Sequence, residues 1–464
     1  MKNLKIDSPP KGLAVLLMLG PSIVWCSEFI GSGEVILATR TGAILGTSVM
    51  WAVIVGIFLK YWIGMSGARY TVCTGESMID MFARMPGPKN WAVWIVLIGQ
   101  FASASIAIGS LATAAGVFLG NLTGLSTRLC GWIITVFALG VSWSGKFEWL
   151  KIIMSIFVFV VLIGIFTVVI RIFPGINEIL KGLVPSAPQT PEWALHKIPG
   201  GNPWREVLPL IGWGAGGFAS QVWYSYWIMG AGFGAAEKNR YGKPADTEVL
   251  KTINTADAIK LRGWSRHINK DATLALVIGV ISTLGFLIAG AGILGPLHLV
   301  PEGGNVAIEL ASVFSSHWGK TGALLFLLGG TAALISTQIG QLAGWPRLLA
   351  DCTRICIPAF NKKIEWKWQY RIFLVYFFLS NMIIIHTLGY KPVFLVQTGA
   401  ILDGLLLTPF QAVWIFIGLY WVMPKLYSKP VAEMLKPHWI YGAGLIIAFL
   451  VFTYFCVFQL PYVF

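Results

Sequence analysis

The chain has 464 residues, 56% hydrophobic and 12% charged, about half the charged share of a soluble domain. Mean hydropathy is +0.73, and several apolar stretches exceed the roughly 20 residues that cross a bilayer. Residues 91–127 and 272–301 contain no Asp, Glu, Lys or Arg. A soluble globular protein is excluded; the composition is that of an integral, multi-pass membrane protein whose first partner is the lipid bilayer.

The net charge of +14 invites a nucleic-acid partner, but its distribution follows topology. With the N-terminus inside, basic residues collect on the inner side: Lys2, Lys5, Lys11, Arg69, Arg84, Lys89, Lys146 and Lys151, then 238–270 and 347–371, and finally Lys425, Lys429 and Lys436. This is the positive-inside pattern. It predicts a cytoplasmic N-terminus in the plasma (inner) membrane and no nucleic-acid partner. The run from Leu13 opens a full span without a small-residue cleavage site, so no cleavable signal is expected. The six cysteines are scattered, and Cys352 and Cys356 fall on the reducing side, where free thiols are expected.

In chain order the apolar runs predict about eleven spans, all α-helical: 13–38, 49–65, 91–117, 130–141 and 152–170, then, after a proline-rich loop, a sixth opening near Val207. The seventh has Asp271 near its N-terminus, where a carboxylate suits unpaired N–H groups. The rest follow at 321–342, 372–388, 392–422 and 439–458. Two spans carry a weak point. Gly31-Ser32-Gly33-Glu34 interrupts the first, and Gly212-Trp213-Gly214-Ala215-Gly216-Gly217 the sixth. Glycine weakens a helix by about 1 kcal/mol relative to alanine, and hydrocarbon tolerates freed backbone only where it lines a cavity.

Residues 1–172 and 207–424 are therefore two halves of five helices each, joined by the loop 173–206 and followed by an eleventh helix in 425–464. Five is odd, so the second half enters the membrane in the opposite sense. Inverted repeats with broken first helices mark the fold of the sodium-coupled leucine transporter and its relatives.

Gly20-Pro21-Ser22 through Gly31-Ser32-Gly33-Glu34, with Thr41-Gly42-Ala43 and Gly46, resembles the first helix of the Nramp divalent-metal transporters. Ala68 to Gly75 is similar to the end of that family's second helix, Gly145-Lys146-Phe147-Glu148 to its entry to helix 5, and Asp271 to Leu276 to its entry to helix 7. Thr408-Pro409-Phe410 is similar to its helix 10. The resemblance implies a secondary transporter moving a cation by alternating access. The family's metal-binding Asp falls on Gly31, its Pro on Ser32 and its Asn on Glu34. Its Met falls on Gln221 or Val222, its His on Trp223 or Tyr224, and its helix 3 acids on the acid-free stretch 103–107. The soft thioether and the proton-relay groups are thus absent, which makes this a divergent relative.

The remaining candidates are oxygen donors. Around the two breaks stand Gly31, Ser32, Gly33, Glu34, Gly214, Gly217, Gln221 and Tyr224, with Glu34 and Gln221 as metal ligands. Such donors suit a hard divalent ion of the Mg or Mn class. The alternative is a Na-coupled carrier of a small polar organic solute, with aromatics such as Trp213, Trp223, Tyr224 and Tyr226 as walls. Ser336 and Thr337 are candidates for a coupling-ion site with first-span carbonyls. Glu28 and Asp403 are further intramembrane acids, functional by default; Glu28 and Glu34 have an equally simple reading as struts that hold the broken helix. No cofactor is expected beyond a bound divalent cation or Na. The histidines are spread singly and no nucleophile has an evident base, so an enzyme is not expected.

Overall fold

The computed structural model describes residues 6–144, 152, 155, 156, 159, 163–166, 169, 170, 172–302, 305–389 and 391–463. Among them every regular element is helical. Among the described residues seven helical stretches are long and apolar enough to cross a membrane, and Thr127–Trp143 is a shorter apolar helix. Part of the expected fifth span 152–170, and all of Gly145 to Glu148 at its entry, lie outside the described residues; 163–166 is helical.

The first span is broken as its glycines require. Its near half, Pro21–Phe29, stops at Ile30, and the chain resumes as a wide π turn over Gly33–Ala38 and a helix over Thr39–Leu45. The sixth is Trp204–Trp213 and Phe218–Ala231, separated by an unwound Gly214–Gly217 segment. Between them run Met50–Thr74, Trp91–Thr123 and Thr127–Trp143, the second to fourth spans. The broken segments pack against one another and against the second, seventh and eighth spans in one continuous core.

Three sequence expectations are corrected. The eighth span is a continuous helix from a bend at Gly319 to Cys356, far past residue 342. Its polar residues Gln338, Gln341, Arg347 and Asp351 are buried against protein, so local hydropathy underestimates its length. The tenth is not one helix: Pro392–Gly404 and Thr408–Ile417 are separated by 405–407. Thr408 precedes Pro409, which disfavours continuing a helix through that point. Third, Asp271 is no helix-start residue, because its helix, Thr255–Ala289, begins sixteen residues earlier behind the cap Asn254.

Asp271 instead caps the first span. Its carboxylate accepts the Ser22 N–H (3.0 Å) and hydroxyl (2.8 Å) and the Tyr224 hydroxyl (2.6 Å). It thereby joins the start of the first span to the second half of the sixth. Replacing Asp271 with Ala leaves buried donors unmet, at a cost of about 1–3 kcal/mol. A lowered melting temperature in detergent is the expected result; an unchanged one contradicts the cap.

Candidate substrate site

The sixth-span break is the most distorted backbone in the core. Ala215 has φ 58° and Gly216 φ 76°, and a non-glycine residue in the left-handed region is strained. The turn points several carbonyls at one spot, and Lys60 of the second span fills it. Its Nζ donates to the carbonyls of Ile211 (2.7 Å), Gly212 (2.5 Å), Gly214 (3.1 Å) and Gly216 (2.7 Å). Lys60 is fully buried. A helix ending in the membrane leaves orphan carbonyls and a negative dipole end, and the ammonium meets both. A lone lysine in the middle of an apolar helix is the signal in the sequence that points to it.

The two breaks enclose a cavity of about 20 Å³, room for roughly one water molecule. Glu28, Ser32 and Gly33 of the first span line it, with Trp213, Gly216, Gly217 and Trp223 of the sixth, Thr337 and Gln341 of the eighth and Asp403 of the tenth. Two carboxylates thus meet here from opposite halves of the chain. Glu28 accepts the Ser220 hydroxyl at 2.6 Å, and that hydroxyl accepts the Trp25 indole N–H at 3.1 Å. Asp403 accepts the Ala219 N–H (3.2 Å) and the Trp213 indole N–H (3.4 Å). The fit is close: a Cβ on Gly217 would overlap the Asp403 carboxylate, and one on Gly31 the Thr337 side chain. The Gln341 Oε1 on the cavity wall is buried and has no hydrogen-bond partner among the described residues.

The sequence-predicted residues divide between wall and frame. Ser32, Gly33, Gly217, Thr337, Glu28 and Asp403 reach the wall. Glu34 is fully buried and closes its own break, accepting the Gly31 N–H at 3.0 Å and the Thr283 hydroxyl at 3.4 Å. Gln221 donates to the Ala215 carbonyl at 3.0 Å, while its Oε1 is buried without a partner. Tyr224 stacks on Trp25 at 4.3 Å and is tied to Asp271, and Tyr226 donates to Asp351 at 2.9 Å; neither wall-forming role is seen in this geometry. Gly31 and Gly214 supply the bends behind the wall. Ser336 donates to the Ser27 carbonyl (3.2 Å) and Thr337 to the Ile30 carbonyl (3.3 Å), so these hydroxyls do meet first-span carbonyls. Among the described residues no group of three or more His, Cys, Asp and Glu gathers.

An ion-pair network lies toward each end of the bundle. At the end away from the N-terminus, Arg40 pairs bidentately with Glu206 (2.9 and 3.0 Å) and also donates to the Pro301 carbonyl (2.7 Å) and Glu302 (3.1 Å). This pins the first span to the sixth. At the other end Arg354 bridges Asp80 (2.7 Å) and Asp351 (3.2 Å), and Ser77, Tyr226 and Trp366 also donate to Asp351.

An apolar bundle with broken spans around a small polar cavity is a fold shared with solved membrane transporters. The chain overlays a crystal structure of a manganese transporter from Eremococcus coleocola with a TM-score of 0.68, covering 98% of this chain and 89% of that one at 16% identity. Residues 22–197 match the family model "Natural resistance-associated macrophage protein-like" (Nramp). The divalent metal cation transporter MntH of Yersinia enterocolitica is 24% identical over 135 residues, 27% of this chain and about a third (33%) of that protein's length. An uncharacterized protein of Pasteurella multocida is 21% identical over 348 residues, covering 73% of this chain and 71% of its own. The chain is thus similar to Nramp proteins over residues 22–197 and shares the fold of a manganese transporter along its length.

Breaking a buried ion pair by removing one partner costs about 3–5 kcal/mol, because the other charge is stranded. Arg40→Ala is expected to destabilise by that amount. The double variant with Glu206→Ala should lose clearly less than the sum of the two single changes. Chemical unfolding in detergent measures the cycle, and strictly additive losses contradict the coupling.

Proposed function

We propose that this chain is a secondary transporter of a hard divalent cation of the Mg or Mn class, working by alternating access. The observation that carries the reading is the cavity between the breaks, with a carboxylate from each half of the chain, Glu28 and Asp403, beside the unpartnered Gln341 oxygen and the Ser32 and Thr337 hydroxyls. Oxygen donors with two formal charges suit a small, hard, doubly charged ion. A cavity of about 20 Å³ suits an ion far better than an organic solute. The membrane transporters among the relatives support transport over catalysis. In this reading Glu28 and Asp403 balance the cation, Gln341 and backbone carbonyls complete its shell, and Glu34 with Gln221 shapes the breaks and remains within reach when they rearrange. The basic end that carries the N-terminus faces the cytoplasm of the inner membrane. The Arg40–Glu206 pair then closes the outer route and Asp80–Arg354–Asp351 the inner one, and each must open in turn.

Uptake into proteoliposomes tests this. Saturable accumulation of Mn²⁺ or Mg²⁺ is expected. Glu28→Gln and Asp403→Asn should each lower it at least about tenfold, since one lost charge contact of 1.4 kcal/mol already gives that factor. Uptake of a polar organic solute in place of the metals, dependent on a Na⁺ gradient, would select a Na-coupled carrier walled by Trp213 and Trp223.

Coupling gives a second expectation. The positions that align with the family's titratable relay read Gly31, Trp223 or Tyr224, and 103–107, none of which exchanges a proton near neutral pH. Metal uptake should therefore proceed as uniport or with Na⁺ at Ser336 and Thr337, without acidifying the lumen. A trapped pH dye reads this directly; metal-dependent acidification in the absence of Na⁺ contradicts it.

A further inference from the structure

We infer that the sixth-span break is a monovalent cation site and that Lys60 is its covalently tethered occupant. Four carbonyl oxygens, from Ile211, Gly212, Gly214 and Gly216, lie 2.5–3.1 Å from one point, the Lys60 Nζ. An ammonium has three N–H donors, so the cradle offers more acceptors than the group can meet one to one. Carbonyls converging on a point are how proteins replace the hydration shell of a bare ion. Two of the four come from the last turn of the sixth span's first half, the negative end of its dipole. The other two are turned inward by the left-handed Ala215 and Gly216. The carboxylates of Glu34 and Asp403 are near enough to act on the ammonium as opposite charges. Lys60 itself arrives from the second span, outside both breaks, so its position does not depend on the sixth-span turn being formed first.

The tether has a consequence for the ion inventory. Glu28, Glu34 and Asp403 with Lys60 carry two net formal negative charges, the number one divalent ion balances; this step rests on the proposed function. A carrier with a fixed cation in the cradle needs no monovalent ion from solution at that place. Removing the lysine side chain should turn a permanent site into an exchangeable one.

Melting temperature of the full chain in detergent tests the site independently of transport. Wild type and Lys60→Ala are compared in methylammonium, sodium, potassium and choline chlorides at equal ionic strength. The wild type should melt at one temperature in all four. Lys60→Ala should melt lower in choline and recover saturably, by roughly 5 °C, in methylammonium or in one of the metal ions. A Lys60→Ala protein that is equally stable in every salt overturns the inference. If Lys60→Ala does not fold in choline but does in one of the other salts, the inference holds. If it folds in none, Lys60→Gln decides, because it keeps two N–H donors and no charge. A saturable cation response of that variant supports the site; a wild-type-like, salt-insensitive melt, or no folding in any salt, overturns it. Absence of divalent uptake by the wild type together with a cation-responsive Lys60→Ala refutes the transport reading and leaves the Lys60 site standing.

Discussion

Everything in this bundle depends on making an unwound backbone tolerable inside hydrocarbon. Each buried carbonyl or N–H left without a partner costs about 1–3 kcal/mol, and the sixth-span break frees several at once. Lys60 lies within hydrogen-bonding distance of four of these carbonyls from a neighbouring helix. Burying an ammonium is itself costly, by several kcal/mol even after relaxation, so the two liabilities are acceptable only together. The first-span break is met differently. Glu34 reaches back three residues to the Gly31 N–H, and Thr337 of the eighth span donates to the Ile30 carbonyl. One break is thus stabilised by a cation at a carbonyl end and the other by an anion at an N–H end, as the helix dipoles require.

The third break, in the tenth span, completes the arrangement. Gly404 packs directly on the Gly212 backbone, leaving no room for a Cβ. Asp403 just before it reaches the Ala219 N–H at the start of the sixth span's second half. The tenth span therefore supplies an acid to the cavity and a surface against which the sixth can bend. Around this centre the Arg40–Glu206 and Arg354–Asp80–Asp351 networks tie neighbouring elements together at opposite ends. On the proposed function, movement of the cation means exchanging one closed network for an open one.

Much of this was legible along the chain because it is written in local terms. Hydropathy marks the spans, basic residues mark one side, and glycine pairs mark the breaks at Gly31–Gly33 and Gly214–Gly217, where the helices do stop. Glu28 and Asp403 stand out as acids in apolar runs, and both reach the cavity wall. Other features were invisible for a common reason: their meaning lies in a partner far away in sequence. Asp271 looks like a helix-start residue until Ser22 and Tyr224 are found against it. Polar Arg347 and Asp351 seem to lie beyond the eighth span until neighbours bury them.

By itself, then, the sequence determined the class of protein, the approximate number of spans and the places where two helices must weaken, since each follows from the composition or backbone preference of adjacent residues. Only the tertiary structure decided which charged groups face which broken end. Glu34, which by sequence is the acid of the site, spends its oxygens on Gly31 and Thr283, while Lys60, 151 to 156 positions from its acceptors, holds the other break. Hydropathy falls off within a turn or two of helix, but a buried charge is stabilised by whatever the fold brings within about 3 Å of it, and that is a property of packing in three dimensions.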